Sequence, residues 1–117
     1  VQVHSEYSPS RSAPKDAHWF FLYTITITNE GPEAATLTHR NWVITNAKGE
    51  VSEVQGPGVV GEHPRLESGN TFEYTSACPL DTSFGTLAGT YTFEREGGES
   101  FKAEVPTFSL AMPYAIN

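Results

Sequence analysis

The chain has 117 residues, with seven Lys+Arg against fourteen Asp+Glu and a formal charge of −7 at pH 7. A chain of this length fits one domain, residues 1–117, around one core. Aromatics at 12% and charged residues at only 18% exclude intrinsic disorder, and the net acidity argues against duplex nucleic acid as a partner.

No apolar run approaches the ~20 residues that a membrane span needs. Cys78 is the one cysteine. It excludes an internal disulfide framework and CxxC zinc motifs, and permits a reducing compartment. The chain opens at Val1 without a signal peptide and holds no N-x-[ST] sequon.

Residues 8–15 (SPSRSAPK) are polar with two prolines and read as loop. Residues 18–29 (HWFFLYTITITN) carry the strongest signal. Trp19, Phe21, Tyr23, Ile25 and Ile27 share one face, and a period of two with aromatic and β-branched residues predicts a strand. Asn29-Glu-Gly31-Pro32 ends it with turn chemistry. Residues 36–46 (TLTHRNWVITN) predict a second strand with Trp42 and Ile44 on one face. Ala47-Lys48-Gly49 predicts a hairpin turn into a short strand over 50–55.

Residues 56–64 contain three Gly and two Pro and read as loop. Alternation then predicts strands over 71–77, 89–95 and 100–105, with Gly97-Gly98 as a tight hairpin. Pro106 should end or bend the last of these. No window has a helical period. About seven or more strands at this spacing predict an all-β antiparallel sandwich. Trp42, Phe72, Tyr74, Tyr91 and Phe93 read chiefly as core.

Gly56-Pro57-Gly58-Val59-Val60-Gly61 matches G-x-G-x-x-G. In dinucleotide-binding folds those glycines let backbone approach a pyrophosphate at a helix N-terminus. Here Pro57 removes a donor, Pro64 falls where a helix should extend, and Val59-Val60 favours strand. A Rossmann site is excluded. An anion nest of loop amides survives as a reading, with Arg40 or Arg65 supplying charge if the fold brings either near. The simpler reading gives the glycines a turn or a close-packing role.

Several phrases together resemble the ApaG domain family. They are Trp42-Val-Ile-Thr-Asn-Ala-Lys-Gly49, Glu53-Val-Gln-Gly-Pro-Gly-Val-Val-Gly61-Glu62-x-Pro64 and Phe72-Glu-Tyr-Thr-Ser76. Gly85-Thr-Leu-Ala-Gly89-Thr-Tyr91 and Val105-Pro-x-Phe108-Ser-Leu110 continue the series in family order. The resemblance implies an immunoglobulin/fibronectin-III-like β-sandwich. The phrases at 44–49 and 54–61, with Tyr74-Thr-Ser76 and Cys78, look most like the ApaG domain of eukaryotic F-box-only proteins. Three positions depart from the family. Asn41 stands where His is frequent, Leu87-Ala88 where Met-Glu is frequent, and His63 where Gln is common. A role given to that family histidine does not carry over; His39, on the same face of a regular strand, is the available substitute.

His4, His18, His39 and His63 are scattered, without metal-site spacing. The carboxylates lie at hairpin tips and read as solvated faces, with at most weak surface contact to Mg²⁺ or Co²⁺. Cys78 reads as a small hydrophobe, because no cation or helix N-terminus lies near it in sequence. No G-x-S-x-G elbow occurs. The expectation is therefore a protein without enzyme activity, catalytic residues, metal ligands or cofactor.

The leading functional expectation is a protein-interaction module that recognises a ubiquitination substrate or adaptor for an F-box-type ubiquitin ligase. Glu53, Glu62 and Glu67 flank the glycine loop and favour basic or neutral partners. The alternative is a standalone bacterial ApaG-type protein linked to divalent-cation (cobalt or magnesium) homeostasis. In that reading Gly56, Gly58 and Gly61 cradle a pyrophosphate or nucleotide, with Arg40 or Arg65 beside them. A nucleotide hydrolase is the weakest reading, lacking a visible nucleophile, base or metal cage. Unpaired strand edges allow a weak homodimer. The expected compartment is the cytoplasm, with the nucleus as a second location.

Overall fold

Period-two alternation becomes eight strands in the computed structural model, which describes residues 1–113. They are β1 (Gln2–Tyr7), β2 (Trp19–Thr28), β3 (Ala35–Asn46), β4 (Val51–Pro57), β5 (Arg65–Leu66), β6 (Thr71–Leu80), β7 (Phe84–Arg95) and β8 (Ser100–Ala111). All pairings are antiparallel. One sheet has the order β1-β2-β6, and the other β4-β3-β7-β8 with β5 beside β3. This is the expected all-β sandwich. Among the described residues no helix is long and apolar enough to cross a membrane.

The inner faces meet as the alternation requires. Phe21, Tyr23, Ile25 and Ile27 of β2 are buried, and so are Leu37 and Trp42 of β3 and Leu87, Tyr91 and Phe93 of β7. Trp42 meets Tyr23 and Tyr91 edge-on, with ring centroids 5.5 and 5.9 Å apart. Aromatic quadrupoles favour such edge-to-face contacts over stacking. The outer face of the first sheet is polar, where Thr24 meets Thr75 at 2.8 Å and Thr28 meets Thr71 at 3.1 Å.

Several boundaries differ from the sequence reading. β1 was not expected; only its alternate residues are part-buried, and it lacks an aromatic run. Residues 8–17 form two 3-10 turns, tied down where the Phe20 N–H donates to Ser12 Oγ at 2.9 Å. Gly56 and Pro57 belong to β4, so the loop begins at Gly58. Cys78 and Pro79 lie inside β6, an edge strand, where a missing N–H is tolerated. Pro106 bends β8 without ending it. The β7–β8 register shifts between Leu87 and Gly89, opposite Pro106 and Thr107. A bulge absorbs the proline there.

Candidate functional site

Two seams join the sheets at their edges. On one side β1 meets β8, and Ser5 Oγ donates to the Ser109 carbonyl at 3.2 Å. On the other side β6 and β4 are the edges, and the sheets leave a cleft between them. Arg40 occupies this open seam.

A local irregularity puts it there. The β3–β7 register shifts between Leu37 and His39. The extra residue flips the parity of everything after it, so Arg40, Trp42 and Ile44 continue the inward face that Leu37 began. Opposite the bulge, the chain leaves β4 and returns as β5. The intervening residues 58–64 are the glycine loop. Gly58 N–H donates to the Thr38 carbonyl at 2.8 Å, and Leu37 N–H to the Pro64 carbonyl at 3.0 Å. Val59 and Glu62 exchange backbone hydrogen bonds of 2.9 and 2.8 Å around Val60 and Gly61. Both central residues have positive φ, 43° at Val60 and 79° at Gly61. Two positive φ values suit a tight hairpin, yet a β-branched residue at φ 43° is strained.

The glycines serve this construction instead of cradling an anion directly. A Cβ at Gly56 would lie 3.1 Å from the Arg40 guanidinium. Gly58, at φ +61°, lies so close to the Glu62 carbonyl that a Cβ would fall 2.2 Å from its oxygen. The amides of Gly58, Val59 and Glu62 are already spent on backbone partners, and Pro57 has none. What the loop presents to the cleft is Arg40. Its Nη1 donates to the carbonyls of Pro57 and Gly58, both at 3.0 Å. That leaves Nε and Nη2, the edge that matches two oxygens of one anion. Among the described residues, no carboxylate lies within ion-pair distance of Arg40.

The remaining wall is phenolic and apolar. Tyr23, Tyr74, Ser76 and Val60 line the cavity of about 190 Å³ at the loop. Tyr74 and Tyr91 hydroxyls meet at 2.5 Å in the interior. Burial pushes both phenols well above the ordinary phenol range. It also raises Tyr23, against the opposing pull of Ser76 and Arg40. These phenols therefore stay protonated and remain hydrogen-bond donors. From Arg40 the cleft continues into a second lobe of about 220 Å³, walled by Ile44, Val54, Cys78, Pro79 and Leu87. Burial pushes the Cys78 thiol up to about 11, so it is no nucleophile near neutral pH.

The other predicted residues scatter. Arg65 sits in β5 with its guanidinium on Glu96 and Glu67, where Glu96 chiefly raises its pKa. It is exposed and neutralised, and lines neither lobe of the cleft. Glu62 closes the Val59–Glu62 hairpin through its backbone, and its side chain is exposed. Asn41 and His39 share the outer face of β3, where Asn41 Oδ1 is buried without a hydrogen-bond partner. No cluster of three His, Cys, Asp or Glu residues is placed to hold a metal among the described residues. A larger cavity of about 270 Å³ lies at the end of the sandwich, beside Ile27 and Phe101, and Arg95 is the one arginine or lysine among its described lining residues. Arg95 there is paired with Glu99 and stacked on Phe101. Sequence reasoning missed Tyr23, Ser76, Val54 and Cys78 as cleft walls. The available signal was Arg40 itself, a charge at the same parity as Trp42 and Ile44.

The protein is of the all-β class, an antiparallel sandwich of two sheets with one closed seam and one open seam that Arg40 occupies. The chain belongs to the ApaG domain family, whose pattern matches residues 9–95. It is 54% identical to Protein ApaG of Bdellovibrio bacteriovorus over 111 residues, which cover 95% of this chain and 87% of that one. Protein ApaG of a Shewanella species is 49% identical, covering 97% of this chain and 90% of that one. A crystal structure from Bordetella pertussis, described as an ApaA protein, superposes with a TM-score of 0.93. It is 46% identical and covers 96% of this chain and 91% of its own.

These relatives overturn the F-box expectation. They are bacterial proteins that this chain nearly fills, and too little of them remains for a separate helical F-box. The ubiquitin-ligase role falls with it.

Proposed function

We propose that this protein is a non-enzymatic binding module of the bacterial ApaG type that captures a small phosphate-bearing anion in the open seam. The observation that carries the proposal is Arg40. It is a part-buried cation with no acidic partner among the described residues, held by the Pro57 and Gly58 carbonyls, with its bidentate edge left over. A buried charge without a counter-ion is costly, and an arriving phosphate removes that cost. Tyr23 and Ser76 line the same cavity and supply neutral hydroxyl donors beside it. The family resemblance adds a link to divalent-cation handling. In this reading the link runs through phosphates, which travel as magnesium complexes, and not through a protein cage for the ion. The lone thiol Cys78 suits a reducing cytoplasm.

Titration calorimetry tests the reading, with orthophosphate, pyrophosphate and nucleoside di- and triphosphates, each with and without Mg²⁺. Saturable binding with a Kd of about 1 mM or tighter is expected for at least one of them, equivalent to ~4 kcal/mol. Arg40→Gln should abolish it. Absence of heat with every anion at millimolar concentration would refute the proposal. Hydrolysis of any of these compounds at an enzymatic rate would refute the non-enzymatic part.

A further inference from the structure

We infer that the occupant of this cleft is a phosphate monoester carrying one compact apolar group, with its phosphate on Arg40 and its apolar body in the second lobe. The inference rests on the anion-binding reading above and narrows it.

Charge gives the first argument. Among the described residues, Arg40 is the only ionisable side chain of either sign, apart from tyrosines and Cys78, that lines the two lobes. One guanidinium edge, Nε with Nη2, satisfies two oxygens of one phosphate. A pyrophosphate or triphosphate brings further negative charge into a protein of net charge −7. Nothing on these walls answers that second phosphate, and like charge opposes it.

Shape gives the second. The two lobes share Tyr23, Arg40, Trp42 and Ser76, so they form one continuous cleft. Beyond Arg40 the wall becomes Ile44, Val54, Pro79 and Leu87. Val54 is 43% exposed although it sits opposite Trp42 on the inner side of β4. An apolar side chain at an open lip gains from a partner that removes it from water. The apolar lobe, about 220 Å³, suits a single ring or short chain as the body of the ester.

The backbone gives the third. Val60 lines the loop lobe at φ 43°, a conformation costly for a β-branched residue. Gly or Asn would hold that turn more easily. The isopropyl group of Val60 is the one apolar addition that this costly choice makes to the lip beside Arg40.

The test compares orthophosphate, pyrophosphate and phenyl phosphate by calorimetry on the full chain, with Val54→Ser and Arg40→Lys as variants. Val54→Ser adds no charge beside Arg40, and Val54 is exposed, so the variant should fold; thermal unfolding confirms this in parallel. Phenyl phosphate is expected to bind at least about tenfold tighter than orthophosphate and than pyrophosphate. Val54→Ser should erase most of that preference while orthophosphate binding persists, and Arg40→Lys should weaken all three. If the anions bind but phenyl phosphate gains nothing, or Val54→Ser leaves its advantage intact, the apolar-ester inference fails and the anion reading stands. If none binds, both fail. If pyrophosphate binds tightest, the cleft is a polyphosphate site and the inference is overturned.

Discussion

The two seams of the sandwich are built from the same strand chemistry and reach opposite outcomes. Where β1 meets β8, inward side chains close on one another, and Leu110 is wholly buried. Where β4 faces β6, the inward row contains Arg40 and Gly56 in place of large apolar residues. The sheets cannot close over a guanidinium without stranding it. A cleft remains, and the carbonyls of Pro57, at the end of β4, and Gly58, at the start of the loop, hold the charge at its floor. One seam contributes stability, and the other keeps a polar group available.

That contrast breaks most visibly under truncation. Leu110→Ala on the closed seam should cost about 2–5 kcal/mol in denaturant unfolding, while Val54→Ser on the open one should stay within about 0.5 kcal/mol. Equal losses would mean that the seams are not different in kind. Gly58→Ala comes next. Its Cβ would collide with the Glu62 carbonyl at a positive φ, so a loss of about 1–3 kcal/mol is expected. Phosphate affinity should fall with it, because the loop that holds Arg40 must shift. Tyr91→Phe removes one half of the 2.5 Å hydroxyl pair and leaves the Tyr74 hydroxyl buried alone. About 1–2 kcal/mol should be lost. The double change to Phe at 74 and 91 should cost less than twice that, which a double-mutant cycle reads directly.

Alkaline titration sharpens the comparison further. Burial holds the Cys78 thiol at about 11 against its ordinary 9.0. The unfolded chain gives up this proton first. Stability is therefore fully present below about pH 9 and falls as pH rises through the folded value near 11, by at most about 1.4 kcal/mol per pH unit. Cys78→Ala should flatten the urea midpoint between pH 9 and pH 10, before the tyrosines join from their ordinary 10.0 upward. The smallest effect is expected at the lip. Val60→Asn relieves the φ of 43° and should stabilise by about 0.5–1 kcal/mol, read from the unfolding midpoint.

Much of the sandwich was legible because alternation and burial are local. Residues 18–29 carry their inward face in the letters themselves, and β2 follows it closely. β1 escaped because QVHSEY offers only half-buried alternation, and β5 because two residues carry no period. The site was half legible. Arg40 and the glycines were visible as chemistry, but the loop looked like an anion nest, since the sequence does not say which amides are already bonded. Arg65 looked equivalent to Arg40 until the fold brought Glu67, just after β5, and Glu96, just after β7, to its guanidinium. The bulge at Thr38 decides the site, and bulges have no reliable letter pattern. It turns Arg40 inward and leaves His39 and Asn41 outside.

The most direct test of the central claim is the Nε–H resonance of Arg40 in a proton–nitrogen correlation spectrum, followed through a phosphate titration. The free Nε–Nη2 edge predicts a saturable shift at Arg40, accompanied by Ser76 and Val60 amides, with the Nε of Arg11, Arg65 and Arg95 unmoved. A shift shared among all four arginines, or none at Arg40, would contradict an uncompensated cation waiting in the open seam.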